Sequence, residues 1–548
     1  MPDLLLGPML RYASATEVTL WMEVDGPCEV TVLGRSTRTF QARGRHYALL
    51  ALTGLEPGSS QEYEVHLDGE RRWPPEDGDL PPSRISTVPE TGPVELVFGS
   101  CRVSRPHVPP YTLNPEHDKR GVGVDALRAL ALRLRDVDPA DWPDMLLLLG
   151  DQVYADEVPP ETLAFIRGRR DVEEPPGEEV ADFEEYVELY REAWSDPTLR
   201  WLLSTLPTAM IFDDHDVHDD WNTSEAWIEE MRAESWWQDR ITGALATYWI
   251  YQHIGNLSPA QLDDDELFGR VKAADDAGDV LHEWATEAER EGGGGIWSFS
   301  RDLAGSRLVV LDGREGRVLS NGQRKMFDEE EWRWVEREVT GEFDHLLIAN
   351  TLPVLLAPTF HHLEAWSDAV CSGTWGGFMA RQGEKLRQGL DLEHWPAFRA
   401  SFKRLVGLVR EVGSGARGRA PASIVFLGGD VHQAYLYEVG FRPGDGVKSA
   451  VYQAVCSPFR HPMERRERAM MTIGRRSTAL RRLAHAMARA AGVSDPEIGW
   501  RASEEPTFDN QIATLKLDGR RASLSIEFTP PGDGRDAQLE TSFARELA

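Results

Sequence analysis

The chain has 548 residues, more than one hydrophobic core ordinarily serves, so two or more domains are expected. A formal net charge of −32 and a pI of about 4.9 repel nucleic acid and anionic membranes on average, and a phosphate-processing site would need bound metal to reverse the local potential. With 41% hydrophobic residues and no run of 18 apolar residues, and with a start, Met1-Pro2-Asp3-Leu4-Leu5-Leu6, that lacks a basic region before a long apolar core, the expectation is a cytoplasmic protein; export by a leader trimmed before residue 1 is the alternative.

Residues 9 to about 89 alternate as half-buried strands do: 18–24, 28–32, 46–52 and 61–67 are separated by Asp25-Gly26-Pro27, by Gly54 with Glu56-Pro57-Gly58, and by Asp68-Gly69. Short strands at this spacing predict a small immunoglobulin- or fibronectin-III-like β-sandwich over 1–89, closed by the proline-rich stretch 74–89. From residue 93 the pattern becomes α/β, with helical segments at 124–134 and 178–194 between apolar strands. A tryptophan-rich helical insertion spans about 221–290, and its aromatics are expected to be core. Gly292 to Gly295 is a flexible connector ahead of a strand at 296–299. Strands are further expected at 307–311 and 345–349, with His361-His362 as a surface pair. Strands at 450–455, 511–517 and 522–528 then flank a basic amphipathic helical segment at about 465–491, which is expected to pack on an acidic surface of its own chain.

Four apolar runs stop at residues that bind metals. Val94–Phe98 ends in Gly99-Ser100-Cys101, Met145–Leu149 in Gly150-Asp151 with Tyr154 behind, Ala209–Phe212 in Asp213-Asp214-His215-Asp216, and Ile424–Leu427 in Gly428-Gly429-Asp430-Val431-His432. In an open α/β sheet, ligands gather outside the carboxyl ends of the strands, so these residues are expected to meet. Of the four cysteines, Cys28, Cys371 and Cys456 read as ordinary buried thiols, whereas Cys101 follows a strand and a Gly-Ser turn.

Asp151 is placed to bridge two cations, and Tyr154 to return to one of them. A thiolate and a phenolate on one ion favour a trivalent metal, because both must lose protons with pKa values above 7. Fe(III) fits better than Zn or Mg. Asp213, Asp214, Asp219 and Asp430 offer oxygens suited to Ca, Mg or Mn, so a mixed cluster is expected, with His432 closing the coordination of the thiolate-bound metal. His215 is expected to donate a hydrogen bond to the transferring phosphoryl group.

Phe98-Gly99-Ser100-Cys101, Leu149-Gly150-Asp151-Gln152-Val153-Tyr154-Ala155-Asp156, Phe212-Asp213-Asp214-His215-Asp216-Val217 and Leu427-Gly428-Gly429-Asp430-Val431-His432 together resemble the PhoD-like alkaline phosphatases of the calcineurin-like metallophosphatase superfamily. The resemblance covers residues 93 to about 460 and holds in order as well as content. It implies an α/β, four-layer metallophosphatase sandwich over 93–540, two mixed sheets flanked by helices behind the β-sandwich, with an Fe(III) centre and Ca(II). Carried over, Cys101 and Tyr154 bind iron, Asp151 bridges, Asp430 and His432 supply the last motif, Asp214 binds a second metal, and Asp219 stands at a calcium position. Leu311-Asp312-Gly313-Arg314 is similar to the family's Asp-x-Arg strand end, where Arg314 either assists phosphate binding or holds the acidic loop. No twin-arginine leader is visible, and the insertion and basic segment have no counterpart in the motifs.

The expected activity is hydrolysis of a small phosphorylated substrate, monoester or diester, by hydroxide held in the cluster, with His215, Asp151 and Arg314 as catalytic residues. Neither nucleic acid nor membrane is expected as a partner. A binding scaffold with a structural metal site, and a hydrolase of non-phosphate esters, remain as alternatives.

Overall fold

The computed structural model describes residues 1–76, 78–291, 297–320 and 322–548. Residues 292–296, the expected connector and the first residue of the strand expected at 296–299, lie outside the described residues, and the strand found here is Phe299–Leu303. Two mixed sheets organise the larger part of the chain. The first runs in the spatial order Thr208–Ile211, Met145–Leu149, Pro93–Gly99, Gln511–Asp518, Arg521–Phe528, Glu540–Glu546. Its first three strands are parallel, and Gln511–Asp518 joins Pro93–Gly99 antiparallel. The second runs Phe299–Leu303, Ser306–Leu311, His345–Asn350, Ser423–Gly428, Ala450–Val455, Tyr435–Gly440, Gly499–Ala502, with four consecutive parallel strands at its centre.

Why these strands read as continuous apolar runs is plain from where their two faces go. Leu347, Ala349, Val425 and Leu427 share a core with Val97, Leu146 and Leu148 of the first sheet. Their neighbours Leu346, Ile348, Ile424 and Phe426 point the other way, onto Trp332 and Val335 of the helix Glu329–Glu338 and Leu405 and Val409 of the helix Arg399–Ser414. Both faces are covered, as parallel sheets require, and each fully buried leucine contributes about 2 kcal/mol. Helix, sheet, sheet and helix form the layers. Asp125 caps the crossover helix Ala126–Arg135 by accepting from the Leu127 and Arg128 amides.

Residues 4–73 form two four-stranded sheets around a core that includes Leu10, Leu20, Met22, Val30, Leu50 and Val65. The expectation of half-buried strands needs correcting here. The strand Glu17–Val24 has seven buried residues of eight, because Met9, Trp21, Tyr47 and Leu49 on the opposite face join the core of the larger part. Arg11 fastens this contact, donating to the carbonyls of Thr208, Tyr251 and Gln252. The run expected as one strand at 61–67 divides into Ser60–Glu62, paired with Arg84–Ser86, and Val65–Leu67, paired with Glu29–Val32.

The tryptophan-rich insertion is helical, and Trp227, Trp237 and Trp249 are core, with Trp236 and Trp284 packed against it. The basic segment is two helices, Arg465–Arg476 and Thr478–Ala490, broken at Ser477, which caps the second. Arg465 pairs with Glu116, and Arg475 and Arg476 with Glu505. His361 departs from the expected surface pair: it is buried against Phe402 and Trp500.

Candidate metal centre

Parallel pairing puts the carboxyl ends of Pro93–Gly99, Met145–Leu149 and Thr208–Ile211 on one edge, and the loops beyond them are tied together. The amides of Cys101 and Arg102 donate to the carbonyls of Gly150 and Asp151 at 3.2 and 3.0 Å. The second sheet's loop joins through the Asp430 amide, which donates to Ser100 Oγ at 2.9 Å. Gly429 permits this approach, since a Cβ there would lie 2.3 Å from Ser100 Oγ. Cys101, Asp151, Asp430 and His432 all adopt left-handed backbone, at φ of 56, 51, 65 and 46°. Such conformations cost non-glycine residues about 1–3 kcal/mol each and are found where surrounding structure fixes a functional geometry.

The structure brings ligand atoms of Asp151, Asp213, Asp214 and Asp430 within 4.8 Å of one another, and those of Asp214, His215 and Asp219 likewise. Cys101 Sγ lies 3.2 Å from Asp151 Oδ2. Burial, reinforced by Asp213, raises the Asp151 pKa well above the carboxylate range. Asp213 is raised for the same reason, and Asp214 to about 6. Burial with the Asp151 and Asp430 charges pushes up the Cys101 thiol, and burial with Cys101 and Asp151 pushes up the Tyr154 phenol.

These residues fit a resident metal. Asp151 Oδ1, Tyr154 OH, Asp213 Oδ2 and Thr351 Oγ1 are buried with no hydrogen-bond partner, although buried polar atoms are ordinarily satisfied. A cation amid the carboxylates would satisfy these oxygens and remove the repulsion that raises the pKa values.

Tyr154 sits between two imidazoles. His215 stacks on the ring at 4.6 Å between centroids and His461 at 5.2 Å. Successive carboxylates hold them: Asp156 lies 2.9 Å from His215 Nδ1, and Glu157 lies 3.4 Å from His461 Nε2. Burial opposes the charge on His215, yet Asp156 lifts its pKa well above the ordinary value. Its Nε2 faces Asp219 at 3.8 Å. His432 enters neither ligand group among the described residues; its ring lies 4.5 Å from that of His461, and burial lowers its pKa, favouring the neutral form that binds metals.

Arg314 is fully buried, and its contacts are of the loop-holding kind. It hydrogen-bonds Asp213 and Glu393, and its Nη2 lies 3.0 Å from Asp214 Oδ1 and 3.6 Å from Asp430 Oδ1. Glu393 also receives Arg317 and Thr223.

Several supporting residues are not among the expected ligands. Asp216 accepts from the amides of Asp151, Val153 and Asp213, fixing two acidic turns at once. His394 bridges Glu364 at 2.8 Å and Asp430 at 3.1 Å. His461 follows the strand Ala450–Val455, a further strand end to which the same rule extends. For His394 and Glu364, far from any such junction, the sequence carries no signal.

Residues 133–275 match the family model described as PhoD-like phosphatase, and residues 1–85 match a domain of unknown function. No curated protein matches the chain. Among solved structures, one titled "Structure of PhoD" is similar over 100% of this chain and 92% of its own, at 12% identity and a TM-score of 0.61. A purple acid phosphatase from yellow lupin seeds is similar over 98% and 73%, at 10% identity and a TM-score of 0.46. The first of these structures shares the fold.

Proposed function

We propose that this chain is a PhoD-like, metal-dependent phosphoesterase whose metals sit among the carboxylates at the strand ends; the family-model match over residues 133–275 and the shared fold support the reading. The observation that carries the reading is the set of buried, unpartnered oxygens on Asp151, Tyr154 and Asp213 converging with the Cys101 sulfur. In this reading Cys101, Asp151, Tyr154, Asp214, Asp219, Asp430 and His432 hold metal. The thiol and phenol favour Fe(III), and the oxygen donors favour Ca(II), ahead of Mn, Mg or Zn. When bound, the metals supply Lewis-acid polarisation of the phosphoryl oxygens and an acidified water. His215, held protonated by Asp156, donates to a phosphoryl oxygen as charge develops there. Arg314 is a positioning residue, holding Asp213 and Asp214 against mutual repulsion. The same reading keeps the division into a β-sandwich at 1–89 and a catalytic part at 93–540.

Matched phosphate and carboxylate esters test the activity: phosphate-ester turnover by the metal-loaded enzyme, lost in Asp151→Asn, is expected, and unchanged turnover in that variant refutes the reading. A phenolate-to-Fe(III) absorption band that vanishes in Tyr154→Phe tests the iron. A colourless, active, fully loaded enzyme would refute it, and elemental analysis counts the divalent partners.

A further inference from the structure

The exposed large hydrophobic side chains of this acidic chain are clustered. Among the described residues twelve large hydrophobics are exposed, and eight of them fall in two short segments: Trp375, Phe378, Leu386 and Leu390, then Met470, Ile473, Leu480 and Leu483. Both segments pack on the helix Pro358–Cys371, and Trp375 Nε1 reaches the Ala490 carbonyl at 3.4 Å. The same segments are basic. Residues 465–490 carry eight arginines against one glutamate, and residues 375–390 three basic residues against one glutamate, on a chain whose net charge is −32. Arg466, Arg481 and Arg482 are exposed without an ion-pair partner among the described residues. The helix Arg465–Arg476 starts four residues after His461.

We propose that this face docks on an anionic lipid surface. Exposed aliphatic side chains interleaved with arginines suit the headgroup boundary: the apolar groups enter the acyl region while the guanidinium groups remain with the phosphates. The net charge, which predicts repulsion on average, is screened beyond a Debye length of about 8 Å, whereas contact at the basic face is local. A second copy of the chain suits the face poorly. A two-fold pairing would set Arg481 and Arg482 against the same basic patch.

The test is sedimentation of the full-length protein with vesicles of phosphatidylcholine containing phosphatidylserine, compared with phosphatidylcholine alone. Binding is expected to the anionic vesicles, weakened by salt, reduced at least about tenfold by Arg481→Glu with Arg482→Glu, and abolished by Ile473→Glu with Leu483→Glu. Turnover of a soluble phosphoester is expected to be unchanged in both double variants. Failure to sediment with either vesicle, or equal sedimentation with both, overturns the proposal. So does a doubled solution mass that the same substitutions abolish. Sedimentation reads binding without turnover, so that outcome stands independently of the phosphoesterase reading.

Discussion

The Asp156 carboxylate lies 2.9 Å from His215 Nδ1 and sets that imidazole against the Tyr154 ring. Orientation and charge come from one contact. Asp156 also accepts from the Asp219 amide, so a single carboxylate holds the histidine and the acidic loop beside it.

Asp156→Asn is therefore expected to lower kcat for phosphate esters by about 10²-fold with a smaller change in KM. The pH dependence of stability should change too. The Asp156 pKa is depressed, so its contribution is present above the ordinary carboxylate value and lost as pH falls through the folded value. The His215 pKa is raised, so its contribution is complete below the ordinary imidazole value and lost as pH rises through the folded one. Denaturant titrations between pH 2 and 9 should show both dependences in the parent and their loss in the variant.

Metal uptake should release protons. Asp151, Asp214, Cys101 and Tyr154 all have raised pKa values without a cation, so loading must displace protons and affinity must rise with pH. A pH-stat or calorimetric titration in buffers of different ionisation enthalpy measures the number released. Uptake without release would mean that these groups do not take the metal.

Arg314→Met should destabilise the fold by about 3–5 kcal/mol in denaturant melts, because it leaves Asp213 and Asp214 buried without their cation and Glu393 with Arg317 alone. Added metal should restore part of the loss by taking over that neutralisation. Arg314→Lys keeps the charge but not the fork, and should fall between the two.

His394→Gln should weaken metal binding by about 10–100-fold while the fold persists, since His394 orients Asp430 and is itself anchored by Glu364. Equilibrium dialysis against a metal buffer reads this directly. Glu364→Gln should produce a smaller loss in the same direction.

Much of this centre is legible in the sequence because parallel strands impose it. A run such as Met145–Leu149 can be apolar throughout only if both faces are covered, and its abrupt end in Gly150-Asp151 marks the edge where polar side chains collect. Cys101, Asp151, Asp214 and Asp430 were visible for that reason. Residues that act from other elements were not: His394 reaches Asp430 from a loop 36 positions earlier, and only packing reveals the bridge. Arg314 was visible, but its competing roles differ in burial, which a strand-end motif does not encode. The alternation of the N-terminal strands disclosed a sandwich yet concealed its second contact, because Trp21 and Tyr47 look the same facing solvent or another core.

That second contact bears on how the chain comes apart. Met9, Trp21, Tyr47 and Leu49 lie in the same continuous core as Tyr190, Trp194 and Tyr251, and Tyr251 stacks on Tyr190 at 4.4 Å. A match ending at residue 85 marks where sequence similarity changes, whereas cooperativity follows shared burial and crosses that boundary. Truncation there would strip aromatic faces from both pieces, and neither fragment would inherit a finished surface.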